Sequence, residues 1–230
     1  MSQSNLYVDI GHSAVKWRTH DSEVFSQSID KFSEKSLPDT QSSWLSAVAH
    51  PESVKAIEME FSDVEVVRSL SHFGSLTIAY EEPLDLGSDR FLAMLGALKH
   101  FPDRNLLIID VGSALTIDVV NDSGEHQGGL IMPGLEALRG SFAKFATNSQ
   151  HLNSSNRQSS TKEAWLSGTQ AMLVSSIKEQ IIGFESERPN GIVILTGGIV
   201  RSLISELPET VNYFDNLVLD GLESYSKSMG

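Results

Sequence analysis

LYVDIGHSAVKW, Leu6 to Trp17, and LLIIDVGSALTIDVV, Leu106 to Val120, carry one pattern twice. Each is an apolar run ending in an aspartate, then a glycine, then a hydroxyl residue and a second β-leaning run. Asp9 corresponds to Asp110, Gly11 to Gly112, and Ser13 to Ser113. A buried strand that ends in a carboxylate, followed by glycine and a hydroxyl, is the chemistry of a phosphate turn. Glycine lets backbone N–H groups approach an anion, and the hydroxyl donates to a phosphoryl oxygen. A single Asp-x-Gly ends strands in many α/β proteins for turn reasons alone. Two copies about a hundred residues apart imply two similar α/β halves.

The composition sets bounds on partners. The chain has 230 residues, 40% of them hydrophobic and 20% charged, as in soluble globular proteins. A net charge of −13 argues against a nucleic-acid surface, which needs clustered lysine and arginine. It also opposes anionic substrates mildly, so a phosphate site must rely on local donors and a metal cation. The absence of cysteine excludes disulfides, thiolate catalysis and cysteine-ligated zinc. No basic-then-apolar leader opens the sequence, and no apolar run reaches the roughly 18 residues of a membrane span. A cytoplasmic protein without membrane or nucleic-acid partners is expected.

Strand and helix signals alternate along the chain, which favours α/β architecture. Strands are expected at 6–10 and 14–18, a short helix at 44–49, a strand at 54–57, a helix within 62–73 and a strand at 76–80. A helix at 89–100 shows one apolar face through Phe91, Leu92, Leu95 and Leu98. The second half opens with strands at 106–110 and 115–120, followed by a helix from Leu135 to about Thr147. The polar stretch 148–160 reads as a mobile loop, and a long helix runs from about Thr161 to Phe184. A strand at 192–195, the turn Thr196–Gly198, a short helix near Leu203 and a strand near Leu217 close the chain. The halves are expected to span residues 1–103 and 104–230.

Three more segments could carry chemistry. In YEEPLDLGSDRF, Tyr80 to Phe91, Ser88 can cap the following helix and Asp89 lies in its first turn. Asp89 there either complements the helix dipole or accepts a proton from a substrate hydroxyl. Arg90 could clamp a carboxylate or be solvated. GGLIMPG, Gly128 to Gly134, and LTGG, Leu195 to Gly198, are glycine turns that suit either plain connections or a backbone cradle for a nucleotide. No histidine pair has metal-ligand spacing. The tryptophans Trp17, Trp44 and Trp165 suit core or interface positions.

In order, DIGHSAVKW, GSDR with Tyr80 and Pro83 upstream, DVGSALTID, GGLIMPG, TKEAWLSG from Thr161, and LTGG resemble the type III pantothenate kinases. These belong to the sugar kinase, Hsp70 and actin superfamily. The resemblance implies two ribonuclease H-like (actin-like ATPase) halves, with mixed sheets flanked by helices and a nucleotide cleft between them. It implies ATP-dependent phosphorylation of the primary hydroxyl of pantothenate, the first step toward coenzyme A. Its cofactors would be ATP with Mg2+ and a monovalent cation, potassium or ammonium. By the resemblance Asp89 is the catalytic base, and Tyr80, Gly87, Ser88 and Arg90 line the pantothenate site. Thr161 joins that site from the partner subunit of a homodimer. Asp9, Ile10, Gly11, His12, Ser13, Ala14, Val15 and Lys16 form the first ATP loop. Gly112, Ser113, Gly197 and Gly198 contact the nucleotide, and Asp110 is associated with the monovalent cation. His12 stands where the family usually has Asn or Asp, Ser113 where it has Thr, and Ile199 where an acidic residue commonly follows LTGG. The competing readings are a kinase for another small hydroxylated substrate and a non-catalytic metabolite-binding or nucleotide-binding regulator.

Overall fold

A computed structural model describes residues 5–20, 22–147 and 156–229. Most of the polar stretch 148–160 therefore lies outside the described residues. The chain divides into two compact units. The first comprises Met1–Asp103, Ser123–His126 and Asn216–Gly230; the second comprises Arg104–Asp122 and Gln127–Asp215.

The first unit contains β1 (Asn5–Ile10), β2 (Ala14–Thr19), β3 (Phe25–Ser28), β4 (Ser42–Ala47), α1 (Pro51–Glu60) and β5 (Val64–Val66). The small hairpin β6 (His72–Phe73) and β7 (Leu76–Thr77) follows, then α2 (Ser88–His100). The second contains β8 (Leu106–Val111), β9 (Ala114–Val120), most of β10 (His126–Pro133) and α3 (Leu135–Gly140). It continues through α4 (Thr161–Glu187), β11 (Ile192–Thr196), α5 (Val200–Leu203) and β12 (Val211–Tyr213). The last helix, α6 (Leu217–Met229), returns to the first unit.

The sheets run β3-β2-β1-β4-β5 and β10-β9-β8-β11-β12. In each, the aspartate-bearing strand pairs antiparallel with its hairpin partner and parallel with a later strand. The sequence repeat is therefore a repeat of topology. Leu6, Val8, Ile10, Val15 and Leu45 are sealed in the first core, and Leu107, Ile109, Val111, Leu115, Val193 and Leu195 in the second.

Several local expectations change. Residues 44–49 lie largely in a strand, because Trp44 and Leu45 take their place in parallel register beside Tyr7 and Val8. The helix comes afterwards, with Pro51 in its first turn, where a missing N–H and a fixed φ cost nothing. The helical spacing within 62–73 gives way to β5, which pairs with β4. The strand expected at 76–80 is only β7, and α3 stops at Gly140 instead of reaching Thr147. The end of the chain is a helix, not a strand near Leu217. Its buried face of Leu217, Leu219, Leu222 and Tyr225 belongs to the first unit, so residues beyond Asp215 leave the half to which sequence order assigns them. No helix among the described residues is long and apolar enough to cross a membrane.

An ion cluster ties α6 to the rest of the first unit. Glu223, only 6% exposed, accepts from Arg18 at 3.1 Å, Lys99 at 2.9 Å and Lys227 at 2.7 Å. Burial alone would raise its carboxyl, but hydrogen bonds from Lys227 and Lys99, with their charges, hold it at about 2. Breaking such a set removes one of two carboxylates from Arg18, which keeps Asp220 at 2.8 Å, and the part-exposed Lys99 and exposed Lys227 moderate the cost. Glu223→Gln should lower unfolding free energy by about 2 kcal/mol at pH 7 in urea titrations. A lowered carboxyl stabilises the fold above its unfolded value of 4.5 and loses that contribution as pH falls toward about 2. The difference from wild type should therefore shrink across that acid range.

Candidate active site

Within the first unit, four segments distant in sequence meet around Asp9. The strand β1 delivers Asp9 to its C-terminal end, where Lys16 sits directly across the hairpin and Ser46 is the parallel neighbour on β4. The turn is tight, with the Gly11 N–H donating to the Ala14 carbonyl at 3.0 Å. Ile10 and Val15 are fully buried core residues, so this loop can offer a ligand only their backbone. Burial pushes the Asp9 carboxyl up to about 6, helped by the negative charge of Asp89 and opposed by Lys16. Asp9 and Asp89 thus feel each other as like charges.

Asp89 sits in the first turn of α2, and its Oδ1 accepts from the Arg90 N–H at 2.7 Å. Gly87, not Ser88, occupies the cap position. Ser88 is the first helical residue, and its hydroxyl is buried without a hydrogen-bond partner. A buried, unsatisfied hydroxyl beside a carboxylate is costly unless a ligand completes it. Arg90 is 5% exposed and donates to the Tyr80 hydroxyl at 2.9 Å, with its guanidinium 5.7 Å from the Tyr80 ring centroid. Tyr80 in turn stacks on His126, whose Nδ1 accepts from the Ala79 N–H at 3.4 Å. Tyr80, Arg90 and Asp89 are thus linked by hydrogen bonds, with Gly87 and Ser88 immediately before them at the start of α2. His126, isolated in sequence at the start of β10, gave no signal for its place under Tyr80.

The second unit gathers its own three motifs. Gly112 donates to the Ala114 carbonyl at 2.9 Å, closing a turn like the first. Gly134 ends GGLIMPG and donates to the Ser113 carbonyl at 3.2 Å. A Cβ on Gly134 would lie 2.5 Å from the carbonyl oxygens of Gly112 and Ser113, so only glycine allows this approach. Gly197, at φ +111°, packs its backbone on Val111, and a Cβ there would come within 2.6 Å of Asp110 Oδ1. Gly198 next to it faces open space. DVGS and TGG thus meet at the carboxylate of Asp110, and MPG packs on the turn that follows it. Arg201, one turn after TGG, forks onto Asp215 and lies over the Tyr213 ring.

Thr161 opens α4, where Ser160 caps the helix by accepting from the Glu163 N–H at 3.3 Å. It lines a cavity of about 480 Å³ with Lys144, Phe145, Thr147, Lys162 and Trp165. The inner face of α4, including Val174 and Ile177, is covered by the second unit's own core. Met172 and Ile182 remain 58% and 60% exposed. Among the described residues, no group of three or more His, Asp or Glu is arranged to hold a metal.

The sequence profile described as type III pantothenate kinase matches residues 5–182. A type III pantothenate kinase of Alcanivorax borkumensis is 32% identical, covering 95% of this chain and 96% of its own. A crystal structure from Campylobacter jejuni, described as a Baf family transcriptional activator, aligns at TM-score 0.66 and 21% identity over 97% of this chain and 98% of that one. MreB5 of Spiroplasma citri bound to ADP aligns at TM-score 0.53 and 11% identity over 99% and 97%, which shows the actin-like fold. Two α/β units with repeated topology, the aspartate-glycine turns and the family match agree: the chain belongs to the type III pantothenate kinase family.

Proposed function

We propose that this chain transfers the terminal phosphoryl group of ATP to the primary hydroxyl of pantothenate, with Asp89 as the general base. The observation that carries the site assignment is that the charge of Asp89, at the start of α2 and next in sequence to the unsatisfied Ser88 hydroxyl, helps raise the buried Asp9 carboxyl at the end of β1. The substrate oxygen bonds to phosphorus as the bond to the ADP oxygen breaks, and the hydroxyl proton passes to Asp89. Ser88 and Arg90, the latter steadied by Tyr80, hold the pantothenate chain so that its hydroxyl lies within reach of Asp89. Such positioning accounts for most of the rate in phosphoryl transfer. In the first loop the turn residues His12 and Ser13 offer backbone N–H groups, and Ser13 its hydroxyl, to phosphate oxygens. In the second unit Ser113 and the Gly197–Gly198 turn offer the same, while Gly112, its N–H committed to Ala114, lets the chain turn close to the nucleotide.

Mg2+ bound with ATP supplies charge neutralisation at the phosphates. Asp9 fits that ion: it is a carboxylate held above its ordinary value by burial and a like charge, a cost that a divalent cation relieves. One or two carboxylates plus nucleotide oxygens are the usual protein share of a Mg2+ shell. Asp110, beside the Val111 carbonyl and the Gly197 backbone, offers oxygen donors of low total charge that suit potassium or ammonium.

A coupled assay of ADP release tests the reading. Release should require pantothenate, and should fall at least about tenfold when potassium is replaced by sodium with Mg2+ retained. ADP release indifferent to pantothenate would overturn the activity. Full activity in sodium would remove the Asp110 assignment alone.

The proposed assembly is a homodimer in which Thr161 completes the partner's pantothenate site. The exposed Met172 and Ile182 on α4, and Phe142 at 52% exposed, support an apolar contact there. Mixing Asp89→Asn chains with Thr161→Ala chains should restore activity above either parent, because exchange creates one intact site. A monomer in light scattering, or no recovery after demonstrated exchange, would refute the shared site.

A further inference from the structure

The turn after β4 reaches the first phosphate loop through a side chain. His50 Nε2 lies 3.1 Å from the His12 carbonyl oxygen, while its Nδ1 lies 3.0 Å from Glu52 Oε1. The repeat makes this placement informative. In the second unit, the corresponding turn after β11 packs its Gly197 backbone directly against the aspartate strand. In the first unit, the corresponding turn instead holds His50 in a left-handed conformation at φ +57°, ahead of Pro51. A left-handed histidine is uncommon and costs backbone energy, so the contact it makes has a local price in stability.

Both neighbours of the ring are acceptors. A backbone carbonyl cannot donate, and an ionised carboxylate cannot either. Neutral imidazole carries one N–H and satisfies only one of them; the imidazolium satisfies both. The groups facing the ring are the His12 carbonyl from the loop between β1 and β2 and Glu52 from α1. Both favour the charged form, and they raise His50 above its ordinary value.

We propose that His50 is a positioning residue of the first phosphate loop: as an imidazolium it clamps the His12 carbonyl and so orients the Ser13 N–H for nucleotide phosphate. The inference rests on the assignment of this loop to ATP. The link is peptide geometry. In a planar trans peptide the C=O and the following N–H point in opposite directions, so fixing the His12 carbonyl toward His50 turns the Ser13 N–H away from it. When His50 loses its proton, the remaining one stays on Nδ1, where the bond to the carboxylate is charge-assisted. The Nε2 lone pair then faces the carbonyl oxygen, and the clamp opens. Affinity for ATP should therefore decline as pH rises through the His50 titration, while the proton acceptor Asp89 is untouched.

Histidine NMR titration of the wild-type protein, together with ATP binding by calorimetry from pH 6 to pH 9, tests this without relying on turnover. The His50 resonances should titrate above the ordinary histidine value of about 6.5, and Glu52→Gln should lower that midpoint. The Kd for Mg·ATP should rise about three- to tenfold across the same interval. His50→Gln keeps a non-titrating donor and should abolish the rise in Kd that accompanies the His50 titration, leaving only the opposite trend as Asp9 ionises through about 6. His50→Asn suits the left-handed backbone but is too short to reach His12, and should give the weaker Kd at every pH. In steady state the change should fall on the KM for ATP and leave kcat nearly constant. His50 titrating at or below about 6.5, or His50→Asn binding ATP as wild type does at every pH, would overturn the proposal. If ATP binds with this pH dependence yet no pantothenate is phosphorylated, the clamp stands and the assigned reaction fails.

Discussion

Asp89→Asn should reduce kcat by 10²-fold or more, roughly the range for loss of a general base, with little change in KM for either substrate. The substitution is nearly isosteric, and an amide oxygen can still accept from the Arg90 N–H that Asp89 Oδ1 now engages. The start of α2 should therefore keep its geometry, with circular dichroism and thermal unfolding close to wild type. An Asp89 that merely complemented the helix dipole would contribute under about 1 kcal/mol to stability and nothing to turnover. Wild-type kcat in the variant would assign it that lesser role. A loss confined to KM would make Asp89 a binding group instead of a base.

Asp9→Asn should show opposite effects on activity and on unliganded stability. Phosphoryl transfer should drop by about 10²-fold, since the end of β1 loses the carboxylate proposed to hold Mg2+. The ligand-free fold should gain stability at neutral pH. The sign follows from the raised carboxyl, which moves from 3.8 to about 6. Between these values the folded chain holds a proton that the unfolded chain has released, so stability declines as pH rises through the interval. Above about pH 7 the ionised Asp9 costs the fold on the order of 3 kcal/mol, and asparagine removes that cost. Urea titrations should show the variant more stable at pH 8 and equal to wild type near pH 4. Added Mg2+ and ATP should stabilise the wild type more than the variant. A variant less stable than wild type at pH 8 would mean that Lys16 and Ser46 outweigh burial and the Asp89 charge.

The sequence by itself determined the repeat. Asp-x-Gly after an apolar strand, written at Asp9 and Asp110, is a local pattern in which strand, carboxylate and turn lie within six residues, so periodicity and glycine chemistry suffice to read it. The helix after GSDR and the start of α4 near Thr161 were legible for the same reason: their apolar spacing is local, although the cap of α2 falls on Gly87 and not on Ser88. Local spacing misplaced what pairing decides. Trp44 and Leu45 read as helix until β1 is available as a parallel neighbour, and Leu217 to Tyr225 read as a strand until their apolar face has a unit to cover. Nor could one-dimensional spacing show that α6 leaves the second half for the first.

The site divides along the same line. Which residue types are suited to the proposed chemistry was readable; which of them come together was not. Asp9 and Asp89 are eighty residues apart, and only the fold makes them like charges that raise Asp9. His126 under Tyr80 and His50 on the His12 carbonyl are isolated histidines in the sequence, without the spacing of any motif. Their roles depend on a stacking plane and on a carbonyl delivered by another segment, and such contacts exist only once strands of distant origin share a sheet.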